Sequence, residues 1–96
     1  MLTAAEITES LRSHRDVLAA TYKVRSIGVF GSYAAGKQTE ESDIDVLVEF
    51  SEPVGWDFFD LQEYLEGCFG KRVDLVTPGA LKSTFKEEIL RKVRYA

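Results

Sequence analysis

Two stretches rich in β-branched and aromatic residues, Val24–Phe30 and Asp43–Phe50, are separated only by the segment from Gly31 to Ser42. No other feature limits the fold as much. A crossover to a parallel neighbour normally carries a full helix. This connection opens on Gly31-Ser32 and closes in the polar run Lys37–Ser42, so it has no room for one. The two strands are therefore expected to be antiparallel neighbours. A third such run, Val73–Thr77, follows a helix-length segment, so it is expected to lie parallel to the second strand through a right-handed crossover.

The other segments read as helices. Thr3-Ala4-Ala5-Glu6 has the form of a capping box, which starts a helix near Ala4. Ile7, Leu11, His14 and Leu18 fall on one stripe of it, and it should fade before Thr21. Tyr33-Ala34-Ala35-Gly36 is long enough for one helical turn closed by Gly36. Asp57 is placed to cap a helix whose inward face is Phe58, Leu61, Leu65 and Cys68, with its exit at Gly70. Pro78 permits a first helical turn after Thr77. A last helix is predicted after Ser83, with Phe85, Ile89 and Val93 inward. The predicted fold class is α/β (α+β), a small three-stranded mixed sheet with helices packed on it, and residues 1–96 form a single domain.

Composition sets the outer limits. A chain of 96 residues with 45% hydrophobic and 29% charged residues has an ordinary globular composition and length for one domain with one small site. No apolar run approaches the roughly 20 residues of a membrane span. Met1–Ser13 mixes Glu6, Glu9 and Arg12 with apolar residues and is not expected to be a signal peptide. Cys68 is alone, which excludes a disulfide frame and a cysteine metal site. These features favour a reducing, cytoplasmic setting.

Charge is more informative. Residues 1–30 carry a net +1, residues 31–70 a net −9 and residues 71–96 a net +4, with Lys37 the one cation of the middle block. Acids concentrated in this way repel one another. They are either spread over solvated faces or gathered around a metal. Topology favours gathering. Asp43 and Asp45 are two apart on one strand and point to the same face. Antiparallel pairing sets Gly31-Ser32 beside them, and parallel pairing brings Asp74 to that same end. Without a cation some of these acids would stay protonated at a free-energy cost, and Asp oxygens suit Mg²⁺, which completes its shell with water and phosphate. Gly31 lets backbone approach a phosphate, and the Ser32 hydroxyl and following amides can donate to it. Two metals bridged by Asp43 and Asp45 would clamp an in-line displacement at phosphorus. Asp74 could hold one of them and accept a proton from the attacking hydroxyl.

Gly31-Ser32, ten intervening residues, then Asp43-Ile44-Asp45 resembles the signature of the nucleotidyltransferase superfamily that includes DNA polymerase beta. The run Arg72-Val73-Asp74-Leu75-Val76-Thr77-Pro78 and the short length are similar to its minimal members, the MNT family of antitoxins paired with HEPN-domain toxins. The resemblance runs from Ile27 to Ala96. It implies a polymerase beta-like core, with Gly31 and Ser32 as the triphosphate-binding pair, Asp43 and Asp45 as metal ligands and Asp74 as the third carboxylate. It further implies transfer of AMP from ATP, with Mg²⁺, to a hydroxyl (a tyrosine of the HEPN toxin), with loss of pyrophosphate. Many relatives carry Arg where this chain has Ala35; Lys37 is the available substitute for phosphate contact.

Each feature also has a plainer explanation. Gly-Ser and Asp-x-Asp are individually common in turns; only their combination carries the inference. Lys37 alone reads as a solvated loop lysine, and His14 as a partly buried packing residue. Trp56, Phe58 and Phe59 read as core or as a hydrophobic staple. The basic segment Lys82–Arg94 reads as a solvated helix face. Net acidity disfavours templated nucleic-acid synthesis, which needs a basic groove. The alternative function is a non-catalytic antitoxin that neutralises its toxin by binding alone, which Ala35 would fit.

Overall fold

A computed structural model describes residues 2–96. The chain runs α1 (Ala4–Ser13), α2 (Arg15–Tyr22), β1 (Val24–Phe30), α3 (Gly31–Ala35), β2 (Ile44–Phe50), α4 (Asp57–Phe69), β3 (Val73–Val76), a 3-10 turn at Pro78–Ala80, α5 (Ser83–Lys92) and β4 (Arg94–Tyr95). Among the described residues the sheet order is β3-β2-β1-β4. As expected, β1 and β2 are antiparallel and β2 and β3 are parallel.

The predicted sheet was one strand short. Arg94–Tyr95 pairs antiparallel with β1 at Gly28 and Val29, making a fourth, edge strand. The pairing depends on Gly28. A Cβ there would sit 2.9 Å from Arg94 O and 2.9 Å from Val93 Cγ2, so a larger residue would push the returning chain away. Two residues of strand carry too little periodicity to be recognised without that partner.

The main core lies on one face of the sheet. Ala4, Ile7 and Leu11 of α1, Leu18 of α2 and Leu61 and Leu65 of α4 pack onto Ile27, Val29, Ile44, Val46, Val48, Val73 and Leu75. Such side chains stabilise by roughly 1.5–3 kcal/mol each when fully buried. The capping box is present, with Thr3 Oγ1 accepting from the Glu6 amide at 3.2 Å and the Glu6 carboxylate accepting from the Thr3 amide at 3.0 Å.

Three helix details depart from the periodicity. The first helix breaks at His14, whose imidazole Nδ1 lies 2.7 Å from Ser10 O while its ring meets Tyr64 edge-on. The second half continues to Tyr22 and stops at Lys23, in the left-handed region at φ 60°. In α4, Trp56 rather than Asp57 occupies the cap position, and Cys68 is exposed while Phe69 packs inward. Trp56 and Phe59 are not core: they are 82% and 57% exposed, and only Phe58 packs inward. Phe85 of α5 is 55% exposed, with Ile89 and Val93 half-buried. No described helix is long and apolar enough to cross a membrane.

Candidate active site

The opposite face of the sheet carries the acids. Alternation along β2 sends Ile44, Val46 and Val48 into the core, so Asp45 projects the other way. Asp43 lies one residue before the strand, with its side chain exposed. In β3, Val73 and Leu75 are buried and Asp74 between them is exposed. Parallel register sets Asp45 opposite Asp74, and antiparallel register sets Phe30 opposite Asp45.

Gly31 follows Phe30 directly and opens α3 in the left-handed region, at φ 70°. A Cβ on it would run into Asp45 Oδ2 and lie 3.0 Å from Asp45 Cγ. Two requirements therefore meet at one residue: a backbone conformation costly for L-residues and a carboxylate packed where a side chain would be. The five-residue α3 is closed by Gly36, also at φ 70°, with the Lys37 amide bonded to Ser32 O at 2.9 Å. The first amides of such a turn have no acceptor within it, and Ser32, half-buried, stands among them. The predicted turn is thus present, two residues earlier than its expected start.

The Asp45 carboxyl is pushed up from the usual carboxylate range to about 6. Burial is the largest cause; the charges of Asp74 and Asp43 follow, and a hydrogen bond with the Asp74 side chain adds to them. Asp45 is therefore the member of the corner that feels both of the other acids.

Two α4 residues that carried no signal in the sequence hold this corner from outside. Gln62 Nε2 donates to Val73 O at 2.8 Å, and Glu66 Oε2 accepts from the Val73 amide at 3.0 Å. These bonds satisfy the outward-facing backbone of an edge strand next to Asp74. Lys71 Nζ, donating to Glu40 O at 2.7 Å, ties the loop before β2 to the start of β3. Lys37 is less engaged: its exposed side chain makes no hydrogen bond or ion pair among the described residues. Beside Gly31 a cleft of about 610 Å³ separates α3 from α5.

The match to known proteins agrees with this arrangement. Residues 11–96 fit the nucleotidyltransferase domain family. The chain belongs to that family. As a nucleotidyltransferase it is 48% identical to the protein adenylyltransferase MntA of Thermococcus cleftensis over 96 residues, covering 99% of this chain and 97% of the relative. A solved structure provisionally described as a minimal nucleotidyltransferase is 37% identical, with a TM-score of 0.73 over 91% of this chain and 93% of its own. A chain from the complex of tri-AMPylated HEPN toxin with MNT antitoxin of Shewanella oneidensis shares the fold, with a TM-score of 0.64 over 93% of this chain and 70% of that one, at 18% identity.

The donor set of this nucleotidyltransferase fits Mg²⁺. Its acids are hard oxygen donors, and the electrostatic strain on Asp45 is of the kind a divalent cation relieves. Among the described residues no three or more His, Cys, Asp or Glu side chains enclose an ion on their own. One or two carboxylates completed by water and substrate phosphates is the usual Mg²⁺ shell, fewer protein ligands than the three predicted.

Proposed function

We propose that the protein transfers AMP from ATP to a hydroxyl of a partner protein, a tyrosine of a HEPN-type toxin, and silences the toxin in doing so. The observation that carries this reading is the contact between Gly31 and the Asp45 carboxylate, at a position in register with Asp74. It sets the Gly31-Ser32 turn against Asp45, which supports reading the turn and the acids as one site. The adenylyltransferase relative supports the reaction type, and the AMPylated complex supports the class of acceptor.

In this reading Gly31 and Ser32 receive the triphosphate on backbone amides and a hydroxyl. Asp43 and Asp45, with Asp74 beside them, would hold Mg²⁺, which when bound would supply positive charge to the phosphates and the leaving pyrophosphate. The acceptor hydroxyl attacks the α-phosphorus in line with the α–β bridging oxygen. The new O–P bond forms as the bridging P–O bond breaks, and pyrophosphate leaves with that electron pair. The Asp74 carboxylate takes the proton released by the hydroxyl. Asp43 and Asp74 are exposed, which leaves the acids open to an acceptor carried by another protein.

The test combines the chain, its partner, Mg²⁺ and ATP labelled at the α-phosphate. Label appears on the partner and is lost with Asp43→Asn and Asp45→Asn. Neutralisation that persists in both variants without label would instead establish the non-catalytic antitoxin.

A further inference from the structure

The cleft beside Gly31 is a feature the reaction above does not use. Phe30, Gly31, Ala34 and Ala35 form one wall, and Glu88, Ile89 and Lys92 of α5 the other. Gly31, the residue that packs against Asp45, therefore opens on both the acid corner and this cleft. The α3 wall carries no charge. Lys92 is the one cation lining the cleft, and it rests on Glu88 at 2.9 Å, one helical turn away. Both side chains of that pair are more than half exposed, at 65% and 54%. An exposed pair of this kind is weak and readily exchanged for a better anion. Glu88 is held below its usual carboxylate range by Lys92, which is consistent with a formed but solvated pair.

A bound triphosphate would bring several negative charges to a corner already holding three carboxylates. Mg²⁺ answers part of that charge; the outer phosphates remain, next to an uncharged turn. Resting on the reading of the site as an ATP-dependent transferase, we propose that Lys92 is a nucleotide-binding residue. It leaves Glu88 when ATP arrives and reaches across the cleft to the polyphosphate at the α3 turn. Glu88 keeps the ammonium on the cleft side of α5 until then. The device assigns the phosphate cation to the C-terminal helix rather than to Lys37, whose side chain follows the turn and lies outside the cleft lining.

Calorimetric titration with MgATP and with AMP tests this on wild type, Lys92→Met and Lys92→Arg. Lys92→Met is expected to weaken MgATP about tenfold or more, the usual order for losing a charged hydrogen bond, while AMP affinity stays within twofold. Lys92→Arg is expected to restore most of the MgATP affinity. MgATP binding equal to wild type in Lys92→Met overturns the assignment alone. Equal weakening of MgATP and AMP also overturns it, because that marks a packing effect of α5. Wild-type protein that binds no MgATP removes the reading of the site, and the assignment with it.

Discussion

Gly31 meets the Asp45 carboxylate at a point where no side chain fits on the glycine. Gly31→Ala would place an L-residue at φ 70° and a methyl group in the Asp45 carboxylate. The backbone cost alone is about 1–2 kcal/mol. The expected outcome is a moderately destabilised but folded protein that has lost MgATP binding, read by calorimetry and circular dichroism. Asp45 also makes stability depend on pH. Its folded carboxyl titrates near 6 against 3.8 for an ordinary Asp. Between those values the folded state binds more protons than the unfolded state, so stability falls as pH rises from about 4 to 6. Asp45→Asn, melted in EDTA, should lose that slope and melt higher than wild type at pH 7.5. An unchanged slope in the variant would show that Asp45 is not the strained group.

The strands that deliver the acids are held by their neighbours more than by their own sequence. β3 is a four-residue edge strand, and the Gln62–Val73–Glu66 clip closes its open side. Glu66→Ala should cost about 1 kcal/mol of stability. It should slow transfer about tenfold or more, because the carboxylate of Asp74 is then less well placed; equal rates would mean that β2 pairing alone positions Asp74. At the other edge, Gly28→Ala should displace β4 at a cost of about 1–3 kcal/mol, visible as faster amide exchange at Arg94 and Tyr95. The helices show the same division. The capping box and the stripe Ile7, Leu11, Leu18 were plain in the sequence because they are local and periodic. The break at His14 was not: His14 lies on the same apolar stripe, and its ring contact with Tyr64 joins residues fifty positions apart.

Over the whole molecule, a small core and an acidic site are in balance. Radius of gyration is 12.5 Å, ordinary for this length. If MgATP binds the folded state alone, as the proposed function requires, a hundredfold excess over Kd should add about 2.7 kcal/mol, or roughly 10 °C or more in Tm for a domain of this size. No shift at millimolar nucleotide would count against an intact site. The exposed Trp56, Phe59 and Phe85 mark the limit of residue type as a guide, since all three were expected inside and each is more than half exposed. By itself the sequence determined the antiparallel pairing of β1 with β2, the parallel pairing of β2 with β3 and the short turn that opens at Gly31, because loop length, glycine and side-chain alternation are local constraints that leave few alternatives. Only the tertiary structure decided that Gly31 packs against Asp45, that Val73 is clipped by α4, and that Lys92 and β4 return beside β1. Those contacts join residues far apart in the chain, and no local rule encodes the distance between them.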